Sequence, residues 1–332
     1  MRRSEGTLVL VASAQDEGIR LDRFLREKSG VLSRTRARDF LAAGGVSING
    51  RRVKIASRPL RAGDRVEVHP LSKERLSAAP PGMEPFTIVH EDAAVLVVSK
   101  APGVLVQPTS QGDRGTLLDL LARHLRKRHP EGRPPYLGLL HRIDRETSGL
   151  LLFSRRGAAN RILAEQFRGH TIAREYLALV RGSLSSDSGT IDDRLARPSP
   201  FTRRVPAPPK GEWGKQAVTH FRVLERFGEA TLLSLTLETG RTHQIRIHLT
   251  GRGHPVVGDK VYGPGASFPA NPLLDRFSRQ ALHAGRLGFT HPVSGTWLEF
   301  EAPLPEDFAG LLSLLRHQAP PHPAPQPRPD LP

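Results

Sequence analysis

The sequence predicts an α+β protein in two parts: a large, mainly antiparallel mixed sheet with flanking helices, preceded by a small α+β unit. Apolar runs pair across short turns more often than strands alternate with helices, which favours hairpins over βαβ units. A polar, Pro-rich stretch, LSKERLSAAPPGMEP at residues 71–85, separates the first seventy residues from the rest. The 332-residue chain is longer than one average domain, and a hydrophobic fraction of 38% is enough to bury a core.

Residues 1–15 begin MRRSEGTLVLVASA, a basic start with a short apolar stretch, and read as an N-terminal tail without a signal peptide. No run elsewhere approaches the roughly 18 apolar residues of a membrane span. In residues 16–70, Ile19, Leu21, Phe24 and Leu25 mark one helix face. Ser33 caps a second helix carrying Ala37, Phe40 and Leu41, which Gly44 and Gly45 end. A strand at 46–48, a turn at Asn49-Gly50, and a strand at 66–68 after Gly63-Asp64 complete the unit. In residues 86–316, FTIVH and VLVVSK form a hairpin, and Thr116 caps a helix over 116–129 with a basic end. YLGLL and LLLFS flank a polar loop, a helix at 158–168 precedes strand REYLALVRG, and AVTHFRVLE and ATLLSLTLE are strands around Gly228. HQIRIHL has helical spacing at Ile245, His248 and Leu249 up to Gly251. Residues 317–332 hold seven prolines and read as a disordered tail.

The formal charge is +16, and between residues 18 and 75 there are 15 Lys or Arg against 6 Asp or Glu. Such a concentration suits a polyanionic partner, since Lys and Arg displace its condensed counterions. The absence of cysteine excludes disulfides, thiolate nucleophiles and Cys-based zinc sites, and suits a reducing cytoplasm. His141, His243, His248 and His254 lack the spacing of an HExxH helix or a carboxylate at helical distance, so no metal is expected.

The segment HRIDRETSG, His141 to Gly149, sets Asp144 among basic side chains in a loop between two apolar runs, where catalytic groups tend to sit. A carboxylate beside fixed cations stays ionised and can act as a nucleophile. The plainer alternative is an Asx turn in which Asp144 only accepts from the backbone of Glu146 or Thr147.

With Ile143 where Leu is usual, HRIDRETSG resembles the catalytic HRLDxxTSG motif of the RluA/RluD-type pseudouridine synthases, which isomerise uridine within folded RNA. TGRTHQIRIHLTGRGHPVVGDKVYG, from Thr239 to Gly263, is similar to that family's third block over its whole length. REYLALVRG resembles its K-x-Y block with Arg174 in place of Lys, LHAGRLGFTHPVSG its sheet-closing strand, and the segment from Phe86 to Thr109 its opening hairpin, with Lys100-Ala101-Pro102-Gly103 for KPxG. RLDRFL, LSRTRARDFLAAGGVSINGRRV and LRAGDRVEV resemble the S4-type RNA-binding domain. The resemblance runs from about residue 17 to 300.

It implies a pseudouridine synthase fold and a cofactor-free isomerase that binds RNA. Asp144 is then the catalytic carboxylate, Tyr176 the aromatic against the target base, and Arg246 the cation pairing with Asp144, with Arg241 as second candidate. Adding to the uracil ring, attacking the ribose and stabilising a developing charge are all open to Asp144. His141, Arg142, Thr147, Arg241 and His243 join these as substrate-binding candidates, with His141 and His243 expected to hydrogen-bond the loop. Arg34, Arg36, Arg38, Arg51, Arg52 and Lys54 occupy the S4-type RNA-binding positions. By analogy the target is large-subunit ribosomal RNA, acted on by a cytoplasmic monomer that needs no membrane. The alternatives are a tRNA substrate, a non-catalytic RNA-binding or ribosome-assembly factor, or a nucleoside hydrolase, which generally uses paired carboxylates or a metal.

Overall fold

The computed structural model describes residues 3–4, 7–29, 41, 45–53, 55–68, 79–109, 113–128, 136–195, 214–263 and 271–318. They fall into two compact units, Met1–Ala78 with Leu105–His124, and Ala79–Val104 with Leu125–Pro332.

In the first unit, strands β1 (Arg3–Ser4), β2 (Thr7–Val11), β3 (Val46–Ile48), β4 (Arg51–Arg52) and β5 (Arg65–Val68) form a sheet of order β1-β2-β5-β3-β4. Residues 7–11, read from sequence as tail, are therefore a sheet strand, because their apolar side chains complete a small core. Helix α1 (Leu21–Ser29) buries Leu21, Phe24 and Leu25 against Val46, Ile48 and Val66, while Ile19 precedes the helix and packs on the same cluster. The expected second helix lies outside the described residues except for Leu41, which is helical and buried. Asn49 and Gly50 take φ of 49° and 78°, the left-handed pair that a tight two-residue hairpin requires. The Asn49 amide donates to Asp64 and its oxygen accepts from the Arg65 N–H, both at 2.8 Å, which ties this turn to β5. Helix α2 (Leu117–Arg128), whose residues up to His124 are counted in this unit, begins with a reciprocal cap, Asp119 accepting from the Thr116 N–H and Thr116 from the Asp119 N–H.

The second unit is built on a ten-stranded sheet. Its strands are β6 (Phe86–Glu91), β7 (Val95–Lys100), β8 (Gly138–Leu139), β9 (Ser148–Ser154), β10 (Ala173–Arg181), β11 (Ser188–Leu195), β12 (Lys215–Arg226), β13 (Ala230–Leu237), β14 (Leu282–Thr290) and β15 (Trp297–Glu301). The order is β11-β12-β13-β10-β14-β9-β7-β6, with β15 on β14 and β8 on β9. Every pairing is antiparallel except β9 with β14. Helices α3 (Gly157–Arg168), α4 (Gln244–Gly251), α5 (Pro272–Arg276) and α6 (Glu306–Gln318) complete the unit. The α+β expectation therefore holds, with two local corrections. YLGLL contributes only the two residues of β8, and α6 runs through His317 and Gln318, the first two residues of the supposed tail, because Phe308, Leu311, Leu312 and Leu315 are buried.

Strand β9 is buried at every position, which explains its unbroken apolar run. On one face Leu150 and Leu152 pack with Val95, Val97, Leu287 and Phe289 under Ala159 and Leu163 of α3. The parallel pairing of β9 with β14 has a consequence for function. Parallel neighbours start at the same end of a sheet, so the loops that precede them, residues 140–147 and 277–281, meet there. His283 pairs with Ser148 and Ala284 with Gly149. Gly149 has φ of 110°, and a Cβ on it would lie 2.2 Å from the Ala284 carbonyl oxygen, so only glycine permits this approach. Tyr176 on β10 pairs with Ala284 and lies in the same row.

Candidate active site

Asp144 lies in the loop ahead of β9, its carbonyl accepting from the Thr147 N–H at 3.2 Å. This is an ordinary backbone turn and not the Asx turn of the plainer alternative, because the acceptor is the main-chain carbonyl and the carboxylate bonds side chains instead. Arg246 Nη1 donates to Asp144 Oδ2 at 2.7 Å, and Gln280 Nε2 lies 3.4 Å from the same oxygen. Oδ1 accepts no hydrogen bond among the described residues; His243 Nε2 is 3.7 Å from it. The Asp144 side chain is 22% exposed, and of its two oxygens Oδ2 alone is held by hydrogen bonds among the described residues.

Arg246 projects from α4, a helix buried at every position from Gln244 to Leu249. Its other two nitrogens grip Asp259 bidentately, Nε to Oδ2 at 2.7 Å and Nη2 to Oδ1 at 2.8 Å. Asp259 Oδ1 also accepts from the backbone N–H groups of Val261 and Tyr262. Burial opposes charge on both members of this pair but is outweighed. Asp259 and Asp144 hold the Arg246 guanidinium above the ordinary arginine range, and Arg246 with the two N–H groups holds Asp259 below the usual carboxylate range. The Tyr262 ring lies 5.0 Å from the Arg246 Cζ, and its hydroxyl is 2.9 Å from His243 Nδ1. The result is a chain of carboxylate, guanidinium and carboxylate in which the inner acid orients the arginine.

Tyr176 is buried, and burial pushes its hydroxyl pKa up, with Asp144 adding to the effect and Arg174 opposing it. That hydroxyl has no hydrogen-bond partner among the described residues. Lys100, 1% exposed at the end of β7, donates to the carbonyls of Ala101 at 2.7 Å and Arg145 at 2.9 Å, the second within the Asp144 loop. Burial brings its pKa down to about 7, against the pull of Glu146 and Asp144. A cleft of about 500 Å³ opens beside the loop, lined among others by Met83, Pro102, Glu146, Arg246, Val261 and Gln280.

The structure thus brings Asp144, Arg246 and His243 together at one end of the sheet, with Tyr176 close enough for the Asp144 charge to reach its hydroxyl. Thr147 is buried and accepts from Gln280 at 2.5 Å, and Arg142 is exposed on the same loop. Arg241 does not reach Asp144. It is exposed and donates from Nε to the Gln216 carbonyl of β12. His141 does not hold the loop either: its Nε2 accepts from the Leu152 N–H of β9 and its ring stacks on Phe167 at 5.0 Å. His248 bonds Thr219 and His254 the Arg181 carbonyl, each a structural contact. Arg51 and Arg52 are exposed on β4, while Arg34, Arg36, Arg38 and Lys54 lie outside the described residues. Sequence reasoning passed over Lys100, Asp259, Tyr262 and Gln280. For Asp259 and Tyr262 the signal was there, since both lie in the GDKVYG run.

Burial lowers the pKa of three histidines from 6.5, His141 to about 3 and His248 and His283 to about 4. The unfolded chain therefore binds more protons than the folded one below about pH 6.5, so stability falls as pH drops through this window. Each ring contributes up to about 1.4 kcal/mol per pH unit near pH 5. Urea unfolding at pH 7.5 and pH 5 is expected to show a lower midpoint at pH 5, and equal midpoints would contradict the assignment of neutral buried rings.

The chain is similar to known proteins along nearly its whole length. Residues 94–250 match the RNA pseudouridylate synthase family and residues 19–66 the S4 domain. The chain is 40% identical to the uncharacterized RNA pseudouridine synthase YlyB of Bacillus subtilis (strain 168), covering 92% of this chain and 97% of that one. It is 37% identical to the ribosomal large subunit pseudouridine synthase D of Nitrosomonas europaea, covering 95% and 90%, and 35% identical to that of Escherichia coli O157:H7, covering 93% and 94%. Among solved structures, human RNA pseudouridylate synthase domain containing 1 superposes with a TM-score of 0.53 at 28% identity, covering 72% of this chain and 98% of that one. Likeness at this level along nearly the whole length, on a site of this geometry, means that the chain belongs to the RNA pseudouridylate synthase family, as an RluA/RluD-type RNA pseudouridine synthase with an N-terminal S4 domain.

Proposed function

We propose that the protein isomerises uridines of large-subunit ribosomal RNA in the cytoplasm, with Asp144 as its catalytic carboxylate. The observation that carries the reading is the asymmetry of Asp144: Oδ2 is fixed by Arg246, and Oδ1 has no hydrogen bond among the described residues. The reaction breaks the N1–C1′ bond, joins C5 to C1′, releases the C5 proton and places one on N1. It is redox-neutral and self-contained, so its balance calls for no cofactor. Asp144 Oδ1 is the atom that meets the reacting nucleotide, Arg246 keeps the carboxylate aimed, and Tyr176 lies against the base, where stacking contributes about 1–3 kcal/mol. The target must leave its stack to enter the site, at a cost of a few kcal/mol that is offset by phosphate contacts elsewhere. Those contacts fall to the S4 positions, Arg34, Arg36, Arg38, Arg51, Arg52 and Lys54. The ribosomal target is supported by the names of relatives matched over more than nine-tenths of the chain.

Pseudouridine mapping across all RNAs, in cells with and without the gene, tests the substrate. Carbodiimide-dependent stops in large-subunit ribosomal RNA are expected to vanish on deletion. Stops lost from tRNA alone would overturn the ribosomal assignment and leave the chemistry standing.

A further inference from the structure

The turn that presents Asp144 is gripped by two consecutive side chains that no motif marks. Arg279 and Gln280 are 5% and 4% exposed and precede β14. Arg279 Nη1 donates to the Glu146 carbonyl at 3.2 Å. Gln280 Nε2 donates to Thr147 Oγ1 at 2.5 Å and reaches Asp144 Oδ2 at 3.4 Å. Arg279 is itself held by Asp307 at the start of α6, through Nε at 2.6 Å and Nη2 at 2.8 Å.

The same two residues are seated on the segment that carries the other partner of Asp144. Gly258 has φ of 73°, and a Cβ there would lie 1.9 Å from the Arg279 carbonyl oxygen, so the two backbones touch. The Ala281 N–H donates to the Val257 carbonyl at 2.8 Å. Asp259, next in the chain, grips Arg246, and Arg246 grips Oδ2. Both holds on that oxygen thus start from one backbone contact, which fixes the distance between them.

We infer that Gln280 is a positioning residue for the isomerisation: with Arg279 beneath it, it immobilises Asp144 Oδ2 and so selects Oδ1 as the reacting oxygen. The inference rests on the reading of Asp144 as the catalytic carboxylate. A carboxylate free to rotate would present either oxygen at variable distance, and misplacement of about 1 Å can cost around 100-fold in rate. Gln280 is not among the proposed S4 phosphate contacts, so the loss belongs in kcat.

The test compares the full-length parent with Gln280→Leu, Gln280→Glu and Asp144→Asn, measuring kcat, KM, RNA affinity, melting temperature and the pH dependence of kcat. Gln280→Leu is expected to lower kcat about 10- to 100-fold with KM and RNA affinity within about twofold of the parent. Gln280→Glu keeps the shape but sets a second carboxylate beside Asp144, where Arg246, His243, Lys100, Tyr176 and Tyr262 are the other charged or titratable neighbours. Two acids so placed take up a proton more readily, so the acid limb of kcat moves to higher pH. A parental kcat in Gln280→Leu, with Asp144→Asn inactive, overturns the positioning role alone. So does a loss that tracks melting temperature and RNA affinity, with a pH profile of unchanged shape in Gln280→Glu. Parental conversion by Asp144→Asn instead removes the reading of the site on which the inference stands.

Discussion

Asp144→Asn is expected to abolish uridine conversion, a fall in kcat of at least about 10⁴-fold, on the scale seen when a reacting group is removed outright. The change is isosteric, and the Asn carbonyl can still accept from Arg246 Nη1, so the loop keeps its geometry. Arg246 retains Asp259 at 2.7 and 2.8 Å, so no buried cation is left without a counter-charge. Stability and RNA affinity are therefore expected to stay near the parent's while chemistry disappears. Filter binding with the target RNA, beside carbodiimide-blocked primer extension of the same RNA, separates the two. Conversion at the parental rate would sink the mechanism. Weakened binding with conversion intact would place Asp144 in recognition instead.

Arg246→Lys, nominally conservative, is expected to damage both fold and activity. The guanidinium uses Nε and Nη2 on Asp259 and Nη1 on Asp144, three donors in a planar fork. A lysine has one nitrogen and can satisfy at most one of these carboxylates well. Asp259 is fully buried at its side chain, so if the amine turns to Asp144 an ionised acid is left in the interior. Breaking a buried pair in this way costs about 3–5 kcal/mol. If the amine stays with Asp259, Asp144 loses its anchor and kcat falls, about 100-fold or more, for want of positioning. Urea unfolding and single-turnover conversion together read the two outcomes. A variant matching the parent in both would show that the guanidinium fork is not what aims Asp144.

These expectations differ in how far the sequence alone could reach. Asp144 was legible because its surroundings are local: nine consecutive residues hold the acid, the cations and the hydroxyls, and the apolar runs on either side mark a loop at a strand end. The hairpins, α3 and α4 were legible for the same reason, since periodicity and turn chemistry act over a few residues. Arg246 and Tyr176 could be named only through resemblance to a family, as each by itself reads as an ordinary arginine or a strand tyrosine. Arg241 and His141 show the limit of that route, as both sit in matching blocks yet face elsewhere.

What the sequence determined by itself is the small basic unit, the α+β class and the candidate acid on its loop, all set by local propensity, patterning and composition. What tertiary structure decided is which groups meet that acid. Arg246 reaches it across 102 residues and Gln280 across 136. The Gln280 contact depends on one parallel pairing among otherwise antiparallel described strands, which sets two distant loops at the same end and requires a glycine at the join. No local rule encodes that pairing, because its stability comes from burying β9 on both faces, and that condition exists only once the sheet has closed around it.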